Sequence, residues 1–173
     1  MTNCQGIPGR ADVLDRIKRG LSGYISYLAA CEMNQSFSEY VLYEPILRIL
    51  TARGHSVKCE VVCPGVQQPK TGDRKRLDIV ATKQGIPFAM EVKWAKHRKL
   101  NAQKDYDKLT AYLDSDGGAT GRAYLCVFGR KSQIRDLALT PDCFDECGRT
   151  VIAEFGKTRY SCRIFEALRR APR

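Results

Sequence analysis

At 173 residues the chain is long enough for one domain with its own core and too short for two comfortable ones. Hydrophobic residues at 43% and charged residues at 28% are an ordinary globular balance, and no apolar run approaches the roughly 18 residues of a membrane span. The charge is less ordinary: 29 Lys and Arg against 19 Asp and Glu leave a net +10, which suits a polyanionic partner, although such an excess also serves solubility alone.

In chain order, residues 11–33 carry Leu14, Ile17, Leu21, Tyr24 and Leu28 at alternating spacings of three and four, which predicts an amphipathic helix. Its seam suits packing on its own domain; packing on a second copy is the rarer case, so a homodimer is one candidate assembly. A second helix is expected over 36–53, with Leu42, Ile46, Ile49 and Leu50 on one side and Gly54 as its stop. Pro45 should kink it or mark a restart. Residues 56–63 read as a strand, followed by a loop rich in Pro, Gly and Gln. Two further strands are expected over 76–83 and 86–94, joined by a tight turn at Gln84-Gly85. A helix over 101–113 ends before Asp116-Gly117-Gly118, and the apolar run 123–128 reads as a buried strand. A short helix over 132–139 and a hairpin of 151–155 with 158–165, turned at Gly156-Lys157, complete the chain. The order predicts an α/β fold, a mixed sheet flanked by helices.

Met1-Thr-Asn-Cys4 opens no signal peptide, and a chain of this length needs no staples, so the eight cysteines are expected as reduced thiols of a cytoplasmic protein. Cys59/Cys63 and Cys143/Cys147 would hold a zinc ion only if the two C-x3-C pairs met in space. The plainer reading makes Cys59 and Cys63 small apolar residues on one face of a strand, so structural zinc is not expected.

The residues with the most chemistry are Asp78, within Leu77-Asp78-Ile79-Val80, and Glu91 and Lys93, within Met90-Glu91-Val92-Lys93. Side chains alternate along a strand, so Glu91 and Lys93 project together while Met90 and Val92 face the other way. Asp78 lies on the adjacent strand of the same hairpin. Two carboxylates and one ammonium leave the site near −1, a charge that a divalent cation with a preference for oxygen ligands would neutralise. The plainer alternative is a cross-strand ion pair of Lys93 with Asp78 or Glu91 that only steadies the hairpin. Asp73-Arg-Lys75, in the loop, is a weaker version of the same pattern.

With a helix before it and a basic helix after it, this pattern resembles the PD-(D/E)XK nuclease superfamily over residues 36–129, with Leu77 where the family usually has proline. The resemblance implies a restriction-endonuclease-like αβββαβ core at 36–129 within a single domain. Residues 1–35 would form a helical extension and 130–173 an α/β appendage. It also implies an Mg2+-dependent deoxyribonuclease, an endonuclease ahead of an exonuclease, with Mn2+ as a substitute ion. Asp78, Glu91 and the backbone carbonyl of Val92 would hold the metal, and Lys93 would orient the attacking water and stabilise charge building on the phosphate. Glu39 is the candidate acid from the first core helix, although Ser36-Phe37-Ser38-Glu39 also reads as a capping box. Glu44 and Glu60 are weaker candidates for that place. Lys96, Arg98, Lys99, Lys104 and Lys108 follow the motif and are candidate contacts to a DNA backbone. Two readings compete with the enzyme: an inactive nuclease-fold module that binds nucleic acid, and a protein-interaction module of the immunity or inhibitor kind.

Overall fold

The computed structural model describes residues 10–33, 40–155 and 158–169. α1 (Arg10–Ala30) buries Val13, Leu14, Ile17, Leu21, Ile25 and Leu28 along one stripe. A 3₁₀ turn (Tyr40–Leu42) leads into α2 (Tyr43–Ala52). Pro45 therefore sits in the first turn of α2, where its missing N–H costs no helical hydrogen bond, and the expected restart lies just before it. Then follow β1 (Ser56–Val62), β2 (Arg76–Lys83), β3 (Ile86–Trp94), β4 (Lys99–Asn101), α3 (Gln103–Leu113) and β5 (Arg122–Arg130). The single turn α4 (Lys131–Ile134), β6 (Ala138–Thr140), β7 (Phe144–Glu146), β8 (Val151–Phe155) and β9 (Thr158–Ala167) close the order.

The result is a mixed α/β fold with a mostly antiparallel open sheet flanked by helices. Strands stand in the order β1-β2-β3-β5-β9-β7, with β8 also on β9, and only β3 and β5 of this sheet run parallel. Gln84 and Gly85 both have positive φ, 51° and 77°, which gives the β2–β3 turn a twist that matches its strands.

The sheet has two covered faces. α1 and α2 pack on Ile79, Ala81, Phe88, Met90, Val92, Tyr124, Cys126 and Phe128. α3 covers the other with Tyr106, Leu109, Tyr112 and Leu113 against Ala89, Ala123, Leu125 and Val127. The stripe of α1 packs on α2, β8 and β9 of its own chain rather than being left for a second copy.

Two expectations need amendment. The short helix expected over 132–139 is one turn, and Ala138-Leu139 belong to β6, which pairs in parallel with β4 at Leu100↔Leu139. Strands of three residues are too short to carry a periodicity. Cys59 and Cys63 do not share a face: Cys59 is exposed, Cys63 is buried, and Glu60 between them has φ 52°, which breaks the two-residue repeat. The two cysteine pairs lie towards opposite edges of the sheet, by β1 and β7, so they do not meet. Glu39, the Ser36–Glu39 capping box and the Gly156-Lys157 turn lie outside the described residues. Among those described, no helix is long and apolar enough to cross a membrane.

Beside its apolar stripe, α1 carries Lys18, Ser22 and Ser26, one helical turn apart and all buried. They cover β8 and the turn before it: Lys18 Nζ donates to the carbonyls of Cys147 and Arg149, both at 2.8 Å, and Ser26 Oγ donates to that of Ala153 at 3.0 Å. A bare strand edge is thereby satisfied from within the chain. Lys18→Ala leaves two carbonyls without donors and should lower stability by about 2–4 kcal/mol. Urea unfolding checks this as a lower midpoint at unchanged slope.

Candidate active site

Antiparallel pairing of β2 with β3 runs from Lys83↔Ile86 to Ile79↔Met90 and ends there. One step further along, where the ladder would continue, stand Asp78 and Glu91. The strands part at that point, and the Asp78 carboxylate accepts a hydrogen bond from the Val92 N–H at 2.7 Å. A side-chain oxygen thus does the work of a missing ladder carbonyl. Alternation also breaks here, since Leu77 packs on the α3 side and Ile79, two residues on, packs on the α1–α2 side. Across from Asp78 on β1, between the pairs Cys59↔Ile79 and Val61↔Leu77, is the left-handed Glu60. For a non-glycine residue that backbone is uncommon, and it sits beside the group with the most chemistry.

As expected, Met90 and Val92 face α1 and α2. Glu91 and Lys93 are met by α3 on the opposite face. Glu91 is only 1% exposed. Its Oε2 is ion-paired with Lys108, while its Oε1 is buried with no hydrogen-bond partner among the described residues. Lys93 Nζ lies 3.3 Å from Oδ1 of Asp105, a residue 4% exposed on the first turn of α3. The same Oδ1 is 3.8 Å from Lys108 Nζ, which also donates to the Arg76 carbonyl at 3.0 Å. Strand charges spaced two apart thus face helix charges spaced three apart, and each finds its opposite. With Asp78 included and every group ionised, three carboxylates would stand against two ammoniums, one negative charge in excess.

Burial first, and the Asp78 charge second, push the Glu91 carboxyl up to about 8, against the pull of Lys108. Burial pulls Lys108 down, but Glu91, Asp78 and Asp105 outweigh it and hold the ammonium above its ordinary range. Below about pH 8, then, Glu91 is the group that gives up its charge. The Tyr43 hydroxyl, at the start of α2, donates to the Asp78 carboxylate, and burial with the Asp78 charge raises its pKa far above the usual phenol value.

Most of the expected residues fall at this end of the sheet. Lys96, Arg98 and Lys99 are exposed between β3 and the end of β4, and Lys104 is exposed on α3. Lys108 turns inward to Glu91. Trp94 is packed edge-to-face on Phe128, with centroids 5.0 Å apart. Glu44 pairs with Arg48 on the surface of α2. Sequence reading passed over Tyr43, took Asp105 only as an acid diluting the basic run, and gave Lys108 only a surface role. It also missed that β2 starts where β3 and β5 end, which brings exposed Arg74, Lys75, Arg76 and Arg130 to the same rim. Their position beside the strands was the available signal. Gly129 lets this rim close: a Cβ there would lie 2.8 Å from the Ala95 carbonyl.

The donor set fits a hard divalent cation. Asp78 and Glu91 offer carboxylate oxygens, Glu91 Oε1 is buried and unpartnered, and Mg2+ characteristically takes one or two protein carboxylates while keeping waters. No group of three His, Cys, Asp or Glu side chains converges among the described residues.

The raised Glu91 pKa also governs stability. Between its unfolded value near 4.5 and about 8, the folded chain binds the extra proton, so this contribution is full at low pH and is lost as pH rises through about 8. Glu91→Gln should remove that dependence. Thermal melts from about pH 5 to 8.5, in chelator, should fall more steeply for the parent than for the variant. Parallel slopes would show that Glu91 does not titrate in this range.

Comparison of the chain with protein-family models, with curated proteins and with solved structures returned no match, so the role of the site is read from its own side chains.

Proposed function

We propose that the chain is a metal-dependent nuclease with a restriction-endonuclease-like core, hydrolysing phosphodiester bonds in DNA at the end of β2 and β3. The observation that carries this reading is the parting of the two strands at Asp78 and Glu91, with one buried Glu91 oxygen left unpartnered among the described residues. A stability device would be expected to satisfy that oxygen, because an unmade hydrogen bond in a dry site costs about 1–3 kcal/mol. Further support comes from the helix–strand–strand–strand–helix–strand order of α2 to β5, into which β4 is inserted.

In this reading Asp78 and Glu91 hold Mg2+ or Mn2+, which when bound supplies Lewis-acid polarisation of the scissile phosphate. Tyr43 and the Val92 amide fix the Asp78 carboxylate, so the ligand is oriented before the ion arrives. Lys93 donates from its ammonium to the attacking water and to the phosphate oxygens where negative charge grows. Asp105 positions that ammonium. Exposed Lys96, Arg98, Lys99 and Lys104, together with Arg74, Lys75, Arg76 and Arg130, meet the phosphate backbone on either side.

A second reading has one observation in its favour. Both charges of β3 have internal partners on α3, Glu91 with Lys108 and Lys93 with Asp105, as a purely structural network in an inactive DNA-binding module would have.

Lys93→Ala separates the two. For a nuclease, nicking of plasmid DNA in Mg2+ should fall by on the order of a hundredfold, about 2.7 kcal/mol of transition-state stabilisation. DNA affinity should change by less than about threefold, because the rim residues hold the backbone. A parent that nicks no DNA form offered, with a variant whose melt drops, would sink the enzyme. Asp105→Asn gives a graded version: it should cut nicking less than Lys93→Ala does. The loss should fall on kcat and leave KM within about threefold, because Asp105 acts through Lys93 rather than on the DNA. An unchanged kcat would leave Asp105 as packing alone.

A further inference from the structure

We propose that Lys108 is a resident counter-ion, whose ammonium sits on the Glu91 carboxylate that a divalent cation takes, so that the ion displaces it on binding. The proposal rests on the metal site assigned to Asp78 and Glu91 above and goes beyond it by naming what that site holds in the ion's absence.

The surroundings of Lys108 Nζ are those of a cation site. Oxygens approach it from three elements: Glu91 Oε2 from β3, the Arg76 carbonyl from β2 at 3.0 Å and Asp105 Oδ1 from its own helix at 3.8 Å. Two are carboxylate oxygens and the third is a carbonyl, the hard donors that magnesium or manganese also selects. A single ammonium serves them incompletely. It leaves Glu91 Oε1 buried and unpartnered among the described residues and, once Glu91 is ionised, one negative charge in excess across Asp78, Glu91, Asp105, Lys93 and Lys108. A divalent ion on Asp78 and Glu91 corrects both defects, but it then faces the Lys108 charge at close range, where repulsion in a dry site is strong.

Lys108 has somewhere to go. Its side chain is 20% exposed, whereas that of Glu91 is 2% exposed, so the lysine rather than the glutamate can move. Asp105 lies one helical turn away to receive it, and the basic rim is adjacent. The arrangement also explains why Lys108 is present. In the ion's absence a neutral side chain there would leave the Glu91 carboxylate buried with no opposing charge, which is strongly unfavourable. A lysine that served only as a fixed brace would instead support Glu91 equally with and without the ion.

Calorimetric titration of the DNA-free chain with MnCl2 at about pH 8.5, beside thermal melts with and without Mn2+, tests this without any activity readout. Lys108→Gln keeps a polar donor, one bond shorter than the lysine, but removes the charge. It should bind Mn2+ at least about tenfold more tightly than the parent, and gain more in melting temperature from Mn2+. Lys108→Arg should bind Mn2+ more weakly, because a guanidinium fork can engage both Glu91 oxygens. The Arg variant keeps the charge and so keeps the test open if the Gln variant does not fold without metal. A Gln variant that binds Mn2+ no more tightly than the parent, or an Arg variant that binds it as well as the parent, overturns the proposal and leaves the nuclease reading in place. Parent binding that persists in Glu91→Gln, or no Mn2+ binding at all, removes the shared metal site and both readings with it.

Discussion

The hydrogen bond from the Val92 amide to the Asp78 carboxylate is the interaction on which the rest of the site depends. Up to Ile79↔Met90 the two strands satisfy each other's backbones; beyond it they separate, and the Val92 N–H is taken by a side chain instead of by the ladder. A buried amide without a partner is costly, so an acceptor was needed at that point. Because the acceptor is a carboxylate, the strand parting and the negative charge arrive together. The Tyr43 hydroxyl from α2 steadies the same carboxylate, which ties the layer above the sheet to the chemistry at its edge.

From this parting follows the placement of Glu91. It is one of the few charged residues in the core, and α3 is what makes that tolerable. The helix covers its side of the sheet with Tyr106, Leu109, Tyr112 and Leu113, and in the same turns offers Asp105 and Lys108 to Lys93 and Glu91. One element therefore does two jobs, apolar cover and charge compensation. The compensation is unequal. An oxygen of Glu91 stays unpartnered and its carboxyl is pushed up to about 8, so the site resists being fully charged on its own. Functional charge clusters commonly cost stability in this way.

Beyond this pocket, the sheet's geometry decides what a ligand would meet. Antiparallel β2 and parallel β5 flank β3, so the segment before β2 and the turn after β5 open at the end where Glu91 and Lys93 emerge. Both segments are basic, as is the one after β3. The net +10 of the chain is thus partly gathered where the carboxylates are. Elsewhere arginines are used internally: Arg163 is paired with Glu146, and Arg169 donates to the carbonyl of Ala119.

What the sequence determined by itself is whatever depends on near neighbours. The bounds of β2 and β3, the positive-φ turn at Gln84-Gly85, the buried stripe of α1 and the shared face of Glu91 and Lys93 are all consequences of spacing and turn chemistry over a few residues. The three-residue strands β4 and β6 were not legible, because each is a strand only by virtue of the other. Nor were the partners. Asp105 reads as one more acid diluting a basic run, and only the docking of α3 on β3 buries it against Lys93. The same docking turns Lys108 from a surface lysine into the partner of Glu91. The cysteine pairs, alike in spacing, are held apart by the width of the sheet. Local spacing sets the direction in which a side chain points; which group it meets is decided by contacts between distant segments, and those form only when the sheet and its helices pack.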